Sequence, residues 1–531
     1  MGQVRGPRPP AAVFAAAFAV YAFTAYPTFA PRDSADLARA AITLGVAHPP
    51  GYPLYALLGR LWLSLLPWGD ACWRLNLLSA LAGALAAALL AKACERRGRA
   101  AALAAGLAFA FSAPLWKFSL LEEMYSLQAA FMAALLLLSE GERRSFTRRA
   151  ALSGLLFGLG CVNHQSLVLS LPAWLWLWRG EARRQERPLW DALRAAIPFS
   201  AGGLLLDLWV PLRLRDLALG VAVLSRAEYG TLSLSASLAR PLSEVFGRLL
   251  RHLLAGTAGA SSLLAAAAAL LGLRAVGRGA PRFGAALLGL SAAAAFALLS
   301  RLDPASWLPR TVLETAFIAP AFWLCVAAAE GVADVSRRRP AMAWPVAAAL
   351  AAWPLAAHAT ECFHRDDFSA ADYARSLRRT IPPGAAAVVR GDTALFSLAL
   401  TAPDRAVVSE LEPDLALRLA ALAAQGRALY AVGIPPEELG SSSALCADGV
   451  AVARDRRACA DRWPLYAIRP GRALSARESY ARDPALSYAA AHAAAEKLAK
   501  SDDEATRHAL AASAWDPDDF RIRLLSGAER R

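Results

Sequence analysis

Between residues 11 and 358 the sequence returns repeatedly to apolar runs that approach the ~20 residues a helix needs to cross a bilayer. The runs are 11–30, 74–91, 100–116, 124–138, 149–163, 166–178, 192–211, 249–273, 281–299, 311–330 and 341–358. Apolar residues make up 57% of the chain, above the roughly 45–50% of a soluble domain. The expected class is a mainly α, polytopic membrane protein built on a bundle of about eleven transmembrane helices. Several runs fall short of a full crossing, which predicts tilted or re-entrant pieces. No small-residue cleavage site follows the first run, so it reads as a retained span rather than a leader.

The short loops fix an orientation. Alternate loops hold Arg5 and Arg8; Lys92, Arg96, Arg97 and Arg99; Arg143, Arg144, Arg148 and Arg149; Arg179, Arg183, Arg184 and Arg187; Arg274, Arg278 and Arg282; and Arg337, Arg338 and Arg339. Basic loops stay on the cytoplasmic side. The N-terminus is then inside, and residues 359–531 lie outside. The net charge of +14 is explained by these loops, and no basic patch interleaved with aromatics points to nucleic acid. Segment 54–73 carries Arg60 within it and Pro67 near its end. Counting it as a span would invert every later loop, so it reads as an amphipathic helix at the outer interface. The tryptophans near 174–178 read as an interfacial belt.

Past residue 358 the composition changes. "IPPGAAAVVRGD" and "RALYAVGI" read as strands bounded by turns, and "DLALRLAALAAQG" as a helix stopped by glycine. Residues 359–475 are therefore expected to form a small extracytoplasmic α/β domain. Residues 476–531 read as a helical tail, either plain or paired in tetratricopeptide manner. The first 358 residues form the membrane domain. A bridge between Cys446 and Cys459 requires that this region face an oxidising compartment.

Polar residues near the expected outer face need an explanation, because ionisable groups at membrane depth are costly. They are Asp33, Asp36 and His48; Glu122 and Glu123; Asn163, His164 and Gln165; Arg213 and Arg215; and Arg310 with Glu314. Each has a bland account. Asp33 and Asp36 can cap a helix at 35–44. His48-Pro49-Pro50-Gly51-Tyr52-Pro53 can be a rigid turn. Glu122 and Glu123 can open a solvated helix, His164 can be a hydrogen-bonded core residue, and Arg213 can reach for lipid headgroups. The functional account joins them. A carboxylate after the first span can take a proton from an acceptor hydroxyl, while arginines hold a phosphate with matched donors. A lipid-phosphate-linked sugar suits such a place.

The motifs carry a resemblance. "DSADLARAAITLGVAHPPGYPLYALLGRLWLSLLPWGDACWRLNLLSALAGALAAALL", "WKFSLLEEMYSLQAAFMAALLL", "GLGCVNHQSLVLSLPA", "LWVPLR" and "DDFSAADYARSLRRTIPPGAAAVVRGDTALFSL" occur in order over about residues 10–400. Together they resemble the transmembrane-protein-260-like family, domain of unknown function 2723. The resemblance implies a GT-C-type membrane glycosyltransferase, with a protein O-mannosyltransferase as its animal member. It implies a polyprenyl-phosphate sugar as donor, undecaprenyl in bacteria. Asp33 matches the acid that GT-C enzymes carry in their first outer loop. Asp36 stands where the family has glutamate, and Glu123 matches the acid of a Glu-Val-Tyr motif. His48 and Tyr52 match His-Pro-Pro-Gly-Tyr-Pro, Asn163 and His164 match an Asn-His-His stretch, and Arg213 matches the arginine after a Leu-Pro pair. Gly391-Asp392-Thr393 shortens a Gly-Asp-Asn-Asp-Thr motif.

The implied reaction is an inverting transfer of a hexose to a hydroxyl of a protein or glycan. Asp33, Asp36 and Glu123 form the catalytic set. His48, Tyr52, Arg74, Asn163, His164, Arg213 and Arg215 bind the donor. Fixed cations make a metal unnecessary, although some GT-C enzymes use a divalent one. The rival is a transporter or flippase of lipid-linked sugars, which predicts two similar halves with interrupted helices; no such symmetry is visible. The alanine- and arginine-rich composition points to a bacterial inner membrane.

Overall fold

The computed structural model of the chain describes residues 8–141, 145–227, 281–299, 313–412, 414–439, 445–454, 459–469 and 479–516. The span expected at 249–273, the loop at 301–310 and Arg310 lie outside the described residues. In chain order the helices are α1 (Pro9–Thr24), α2 (Ser34–Thr43), α3 (Pro53–Leu65), α4 (Ala71–Cys94), α5 (Arg99–Ala110), α6 (Ala113–Phe118), α7 (Tyr125–Leu138), α8 (Phe146–Asn163), α9 (Leu171–Arg184) and α10 (Leu189–Leu204). They continue with α11 (Trp209–Leu214), α12 (Leu217–Leu224), α13 (Pro281–Leu299), α14 (Ile318–Arg338), α15 (Pro340–His358), α16 (Ser369–Thr380), α17 (Asp392–Thr401), α18 (Leu415–Ala424), α19 (Ser479–Leu498) and α20 (Asp502–Trp515). The strands are β1 (Ala386–Val389), β2 (Ala406–Ser409), β3 (Leu429–Val432), β4 (Cys446–Asp448) and β5 (Ala451–Ala453). The chain divides into two compact units. The first is Met1–Ala25 with Ala40–Arg365, and the second is Tyr26–Arg39 with Asp366–Arg531.

The first unit is helical. Among the described residues four helical stretches are long and apolar enough to cross a membrane: Ala71–Arg97, Leu189–Leu214, Leu313–Arg338 and Pro340–His358. Helix also covers the other expected runs that are described, with two departures. The first helix stops at Thr24, not at residue 30, because Pro27 disfavours helical backbone at Tyr26. The run at 100–116 breaks into α5 and α6 at Phe111 and Ser112. Helix α3 has 13 residues, too few for a crossing. It buries Tyr55, Ala56, Gly59 and Leu63 on one side and leaves Leu61 and Leu65 exposed.

Small residues let α8 and α10 cross closely. A Cβ on Gly154 would lie 2.0 Å from the Ala196 carbonyl oxygen, and one on Gly158 would lie 2.2 Å from that of Ser200. Backbones therefore touch where α8 meets α10, as small-xxx-small motifs allow. At another level, arginines that the sequence marks only as cytoplasmic charge are built into ion pairs. Arg282 is 1% exposed and grips Glu140 at 2.5 and 2.9 Å. Arg97 grips Glu330 at 2.7 and 2.9 Å, and Arg149 and Arg184 share Glu181. The belt reading of residues 174–178 is corrected: Trp174 and Trp178 are buried, packed against Phe157 and Phe146. Their spacing of four residues puts both on the inward face of α9, and Trp176 alone of the three is exposed.

The second unit holds a five-stranded sheet in the order β2-β1-β3-β5-β4. β1 pairs parallel with β2 and β3, while β5 pairs antiparallel with β3 and β4. Both faces of β1 are covered, so it reads as an unbroken apolar run rather than an alternation. Ala387 and Val389 pack with Tyr373, Leu377, Leu398 and Tyr488; Val388 packs with Ala431, Val452 and Ala494 on the other face. Cys446 and Cys459 form a disulfide with Cα atoms 6.2 Å apart. The buried Asp372 takes Arg469 through its guanidinium and its backbone N–H. The tail forms a hairpin of α19 and α20, in which the Ser501 hydroxyl accepts the Glu504 N–H at 3.3 Å and Glu504 accepts the Lys500 N–H at 2.9 Å, a reciprocal cap that starts α20.

Candidate functional site

In the first unit, stretches far apart in sequence converge around a stack of rings. The His48-to-Pro53 segment turns tightly: the Gly51 N–H donates to the His48 carbonyl at 2.8 Å, and Gly51 takes φ +98°. A side chain on Gly51 would strike Val210 at 2.9 Å, so the turn rests directly on α11. His48 lies edge-on to Tyr52, with centroids 5.1 Å apart. Tyr52 stacks on His164 at 6.2 Å with the planes 12° apart, and Tyr125 approaches His164 from another side at 5.1 Å.

His164 sits in the turn between α8 and a 3₁₀ turn at Gln165–Ser170. The Ser166 N–H donates to its Nδ1 at 3.3 Å, with the Ser166 hydroxyl 2.7 Å away. Nδ1 is thus an acceptor, and the ring proton belongs on Nε2. Burial first, then the charges of Arg226 and His48, push this imidazole down to about 3. It is a neutral hydrogen-bonding group at any physiological pH. The surface it leaves accessible lines a cavity of about 60 Å³ shared with Tyr125, Gln128, Ser166, Phe296 and Thr315.

Behind the rings lies a buried polar layer. Glu122 and Glu123 are 0% and 1% exposed, so they do not open a solvated helix. The Ser79 hydroxyl donates to the Glu123 carbonyl at 3.3 Å, and Asn163 donates through Nδ2 to the Met124 carbonyl at 3.0 Å. Asn163 thereby fixes the end of α8 to the start of α7. Tyr55, three residues beyond Tyr52, is 2% exposed and lies within electrostatic reach of Glu122 and Glu123. Sequence reasoning missed Tyr55; its place three residues after Tyr52 on a helix start was the available signal. It also missed Lys117, whose Nζ pairs with Glu314 at 2.5 Å.

The arginines divide. Arg213 is exposed on α11, and its Nε donates to the Leu44 carbonyl at 2.6 Å, while among the described residues no hydrogen bond engages its two terminal nitrogens. Arg215 is exposed at the end of α11, in left-handed backbone with φ 56°. Arg74 instead donates to the carbonyls of Leu63 and Leu66 and serves as a cap for α3. Asp33 and Asp36 belong to the second unit. The Asp33 carbonyl accepts the N–H groups of Asp36 and Leu37 at 3.0 Å each, so its backbone starts α2 while its side chain is half-buried. Asp36 is buried and pairs with Arg39 at 2.8 Å. Among the described residues no three of His, Cys, Asp and Glu gather closely enough to hold a metal ion.

Comparison with known proteins agrees with the motifs. Residues 33–186 match the family described as protein O-mannosyl-transferase TMEM260 N-terminal domain. Protein O-mannosyl-transferase TMEM260 of Mus musculus is 36% identical over 210 residues, 38% of this chain and 29% of the mouse protein. The protein of the same name from Dictyostelium discoideum is 28% identical over 191 residues, 32% of this chain and 23% of its own length. The matched stretch thus spans less than a third of the length of either curated relative. Among solved structures, ArnT from Cupriavidus metallidurans bound to undecaprenyl phosphate superposes with a TM-score of 0.54, over 85% of this chain and 98% of that one. At 14% identity this is a likeness of fold. The mainly helical architecture with apolar helices long enough to cross a membrane, expected from the motifs, is the architecture observed.

Proposed function

We propose that this chain is a membrane glycosyltransferase. It moves a hexose, mannose by analogy with its relatives, from a polyprenyl-phosphate carrier to a hydroxyl of a protein or glycan at the extracytoplasmic face. The observation that carries the proposal is the match over 33–186, because that stretch contains Asp33, Asp36, His48, Tyr52, Arg74, Glu123, Asn163 and His164. The likeness to ArnT, a structure holding undecaprenyl phosphate, supports a lipid-phosphate donor. The Cys446–Cys459 disulfide supports an oxidising side for the C-terminal region. The accompanying topology has about eleven spans in the inner membrane and a cytoplasmic N-terminus. Residues 1–358 form the membrane domain, 359–475 the outer α/β domain and 476–531 the tail.

The chemistry is a single displacement. Asp33 takes the proton of the acceptor hydroxyl as that oxygen bonds to the anomeric carbon. The bond from that carbon to the carrier phosphate breaks, the phosphate leaves with the electron pair, and the sugar inverts. Arg213, joined by Arg215, stabilises the departing charge electrostatically. His48, Tyr52, Asn163 and the neutral His164 supply hydrogen bonds and ring faces for the sugar. Glu123 and Asp36 support the sugar and the base, and Arg74 acts through the end of α3.

The test is transfer by the purified full chain in nanodiscs, supplied with a polyprenyl-phosphate hexose and an acceptor peptide and read by mass spectrometry. Asp33→Asn is expected to lower kcat by about 10²–10⁴ at normal expression. A wild-type rate in that variant would remove the base assignment. Movement of the lipid-linked sugar across liposomes with no glycosidic bond formed would favour the transporter instead.

A further inference from the structure

The segment that carries Asp33 is not a free loop. It clusters with the C-terminal residues as part of the second unit, and a specific set of side chains holds it there. Arg32, the residue before Asp33, has φ 69°, a left-handed conformation uncommon for a residue with a side chain. Something must hold it. The Arg32 N–H donates to Thr393 Oγ1 at 2.8 Å. The Thr393 hydroxyl in turn donates to Asp483 Oδ2, and the other oxygen of that carboxylate lies 3.8 Å from Arg32 Nη2. Arg32 and Thr393 are both buried, so the bonds are shielded from competing water.

Thr393 comes from the first turn of α17, directly after β1 and Gly391, whose φ is +97°. That position is the carboxyl edge of the sheet, beside the point where strand order reverses from β1 to β2 on one side and β3 on the other. Open α/β sheets bind ligands at this place; here the place holds a piece of the same chain. Asp483 reaches the spot from α19. On its other side Asp33 is fixed as well, since its carbonyl accepts the first N–H groups of α2. The backbone of the proposed base is therefore pinned from before by Thr393 and from after by a helix start.

We propose that Thr393 and Asp483 are positioning residues for Asp33: through Arg32 they set the direction in which the proposed base points. The inference rests on the glycosyltransferase reading above, and it gives the shortened Gly391-Asp392-Thr393 motif a task in the reaction.

The experiment compares Thr393→Val, Thr393→Ser, Asp483→Asn and Asp33→Asn in the full chain, with the transfer assay described above. Thr393→Val keeps the shape and removes the hydroxyl. It is expected to lower kcat roughly 10–100-fold, as a misplacement of about 1 Å does, with KM for the donor changed less than twofold. Thr393→Ser restores kcat to within about threefold. Asp483→Asn falls in the same range, and the Thr393→Val, Asp483→Asn double variant falls no further than either alone. Amide exchange across residues 30–37 rises in Thr393→Val while β1 and β3 stay protected. Wild-type kcat and unchanged exchange in Thr393→Val overturn the proposal. A loss of activity that Thr393→Ser does not rescue, accompanied by exchange throughout the second unit, also overturns it. An inactive Asp33→Asn beside a fully active Thr393→Val removes the positioning role alone; a fully active Asp33→Asn removes the base assignment and the inference with it.

Discussion

Adding one methyl group at Gly158 tests whether the α8–α10 crossing sets the geometry of the site. The new Cβ would lie 2.2 Å from the Ser200 carbonyl oxygen. A carbon and a carbonyl oxygen in contact sit about 3.3–3.6 Å apart, so the helices must part by roughly 1 Å. Gly154→Ala makes the same demand against Ala196 at 2.0 Å. Overpacking of this kind costs about 1–3 kcal/mol. The effect reaches function because α8 ends at Asn163, next to His164, and α10 leads through a short turn into α11, which carries Arg213. Shifts of about 1 Å at reacting groups cost up to ~100-fold in rate. Gly202→Ala is the internal control. It lies on α10, the helix that faces Gly154 and Gly158; among the described residues nothing stands within 4 Å of its added Cβ, and replacing an exposed helical glycine gains about 0.5–1 kcal/mol. The assays are thermal unfolding in one detergent and the transfer rate. Gly154→Ala and Gly158→Ala each lower the melting temperature, their double variant loses less than the sum because one separation relieves both clashes, and Gly202→Ala is neutral or stabilising. A Gly158→Ala protein that melts and turns over like wild type refutes the reasoning, as does equal damage from Gly202→Ala.

Other outcomes follow from the same structure. Arg282→Ala strands the Glu140 carboxylate and leaves Glu330 to Arg97 alone, and is expected to cost about 3–5 kcal/mol, read as a lower unfolding temperature; melting within a degree of wild type would show that water replaces the pair. Replacing Cys446 and Cys459 together by serine opens a cross-link between residues 13 apart and should destabilise the second unit by about 3 kcal/mol. Thiol labelling before and after reduction shows whether the bridge forms in cells, and free thiols in the mature protein would count against the outer-face assignment. The second unit should also weaken in acid. His492 stacks on Trp463 at 3.6 Å and lies with its Nδ1 3.0 Å from that of His508. Burial, followed by the charge of His508, pushes His492 down to about 4 from 6.5. Burial also lowers His508, with Arg507 acting in the same sense and Glu504, Asp461 and Glu496 opposing. Below about pH 6.5 the unfolded chain takes up protons that the folded hairpin refuses, so stability is complete above that pH and declines as pH falls toward 4. Chemical unfolding of the full chain at pH 7.5 and pH 5 measures the loss, which His492→Phe should reduce; equal stability at both pH values would contradict it.

Much of this chain could be read directly because its signals are local. A run of twenty apolar residues declares a helix wherever it lies, and "AAAVVRGD" declares a buried strand and a turn through its own residues. Pro27 stops α1 six residues before the apolar run ends, which shows that a boundary can obey one proline rather than hydropathy. The rings at His48, Tyr52 and His164 were each visible as polar or aromatic marks near membrane depth. Their stacking was not visible, because pairwise distance between stretches more than a hundred residues apart leaves no trace in either stretch. Arg74 shows the same limit. From the sequence it reads as one of the donor-binding residues, while in the fold two carbonyls left over at the end of α3 take its donors.

By itself the sequence determined the class of protein, the helical runs, the α/β segment and the motifs that align it with its relatives, since each depends on residues next to one another. Tertiary structure alone decided that Thr393 and Asp483 hold the residue before Asp33, that backbones meet at Gly154 and Gly158, and that Arg97, Arg149 and Arg282 close onto Glu330, Glu181 and Glu140. Those facts depend on where hydrogen-bonding groups and van der Waals surfaces lie in space after hundreds of residues of chain have closed, and no local pattern of residues encodes that closure.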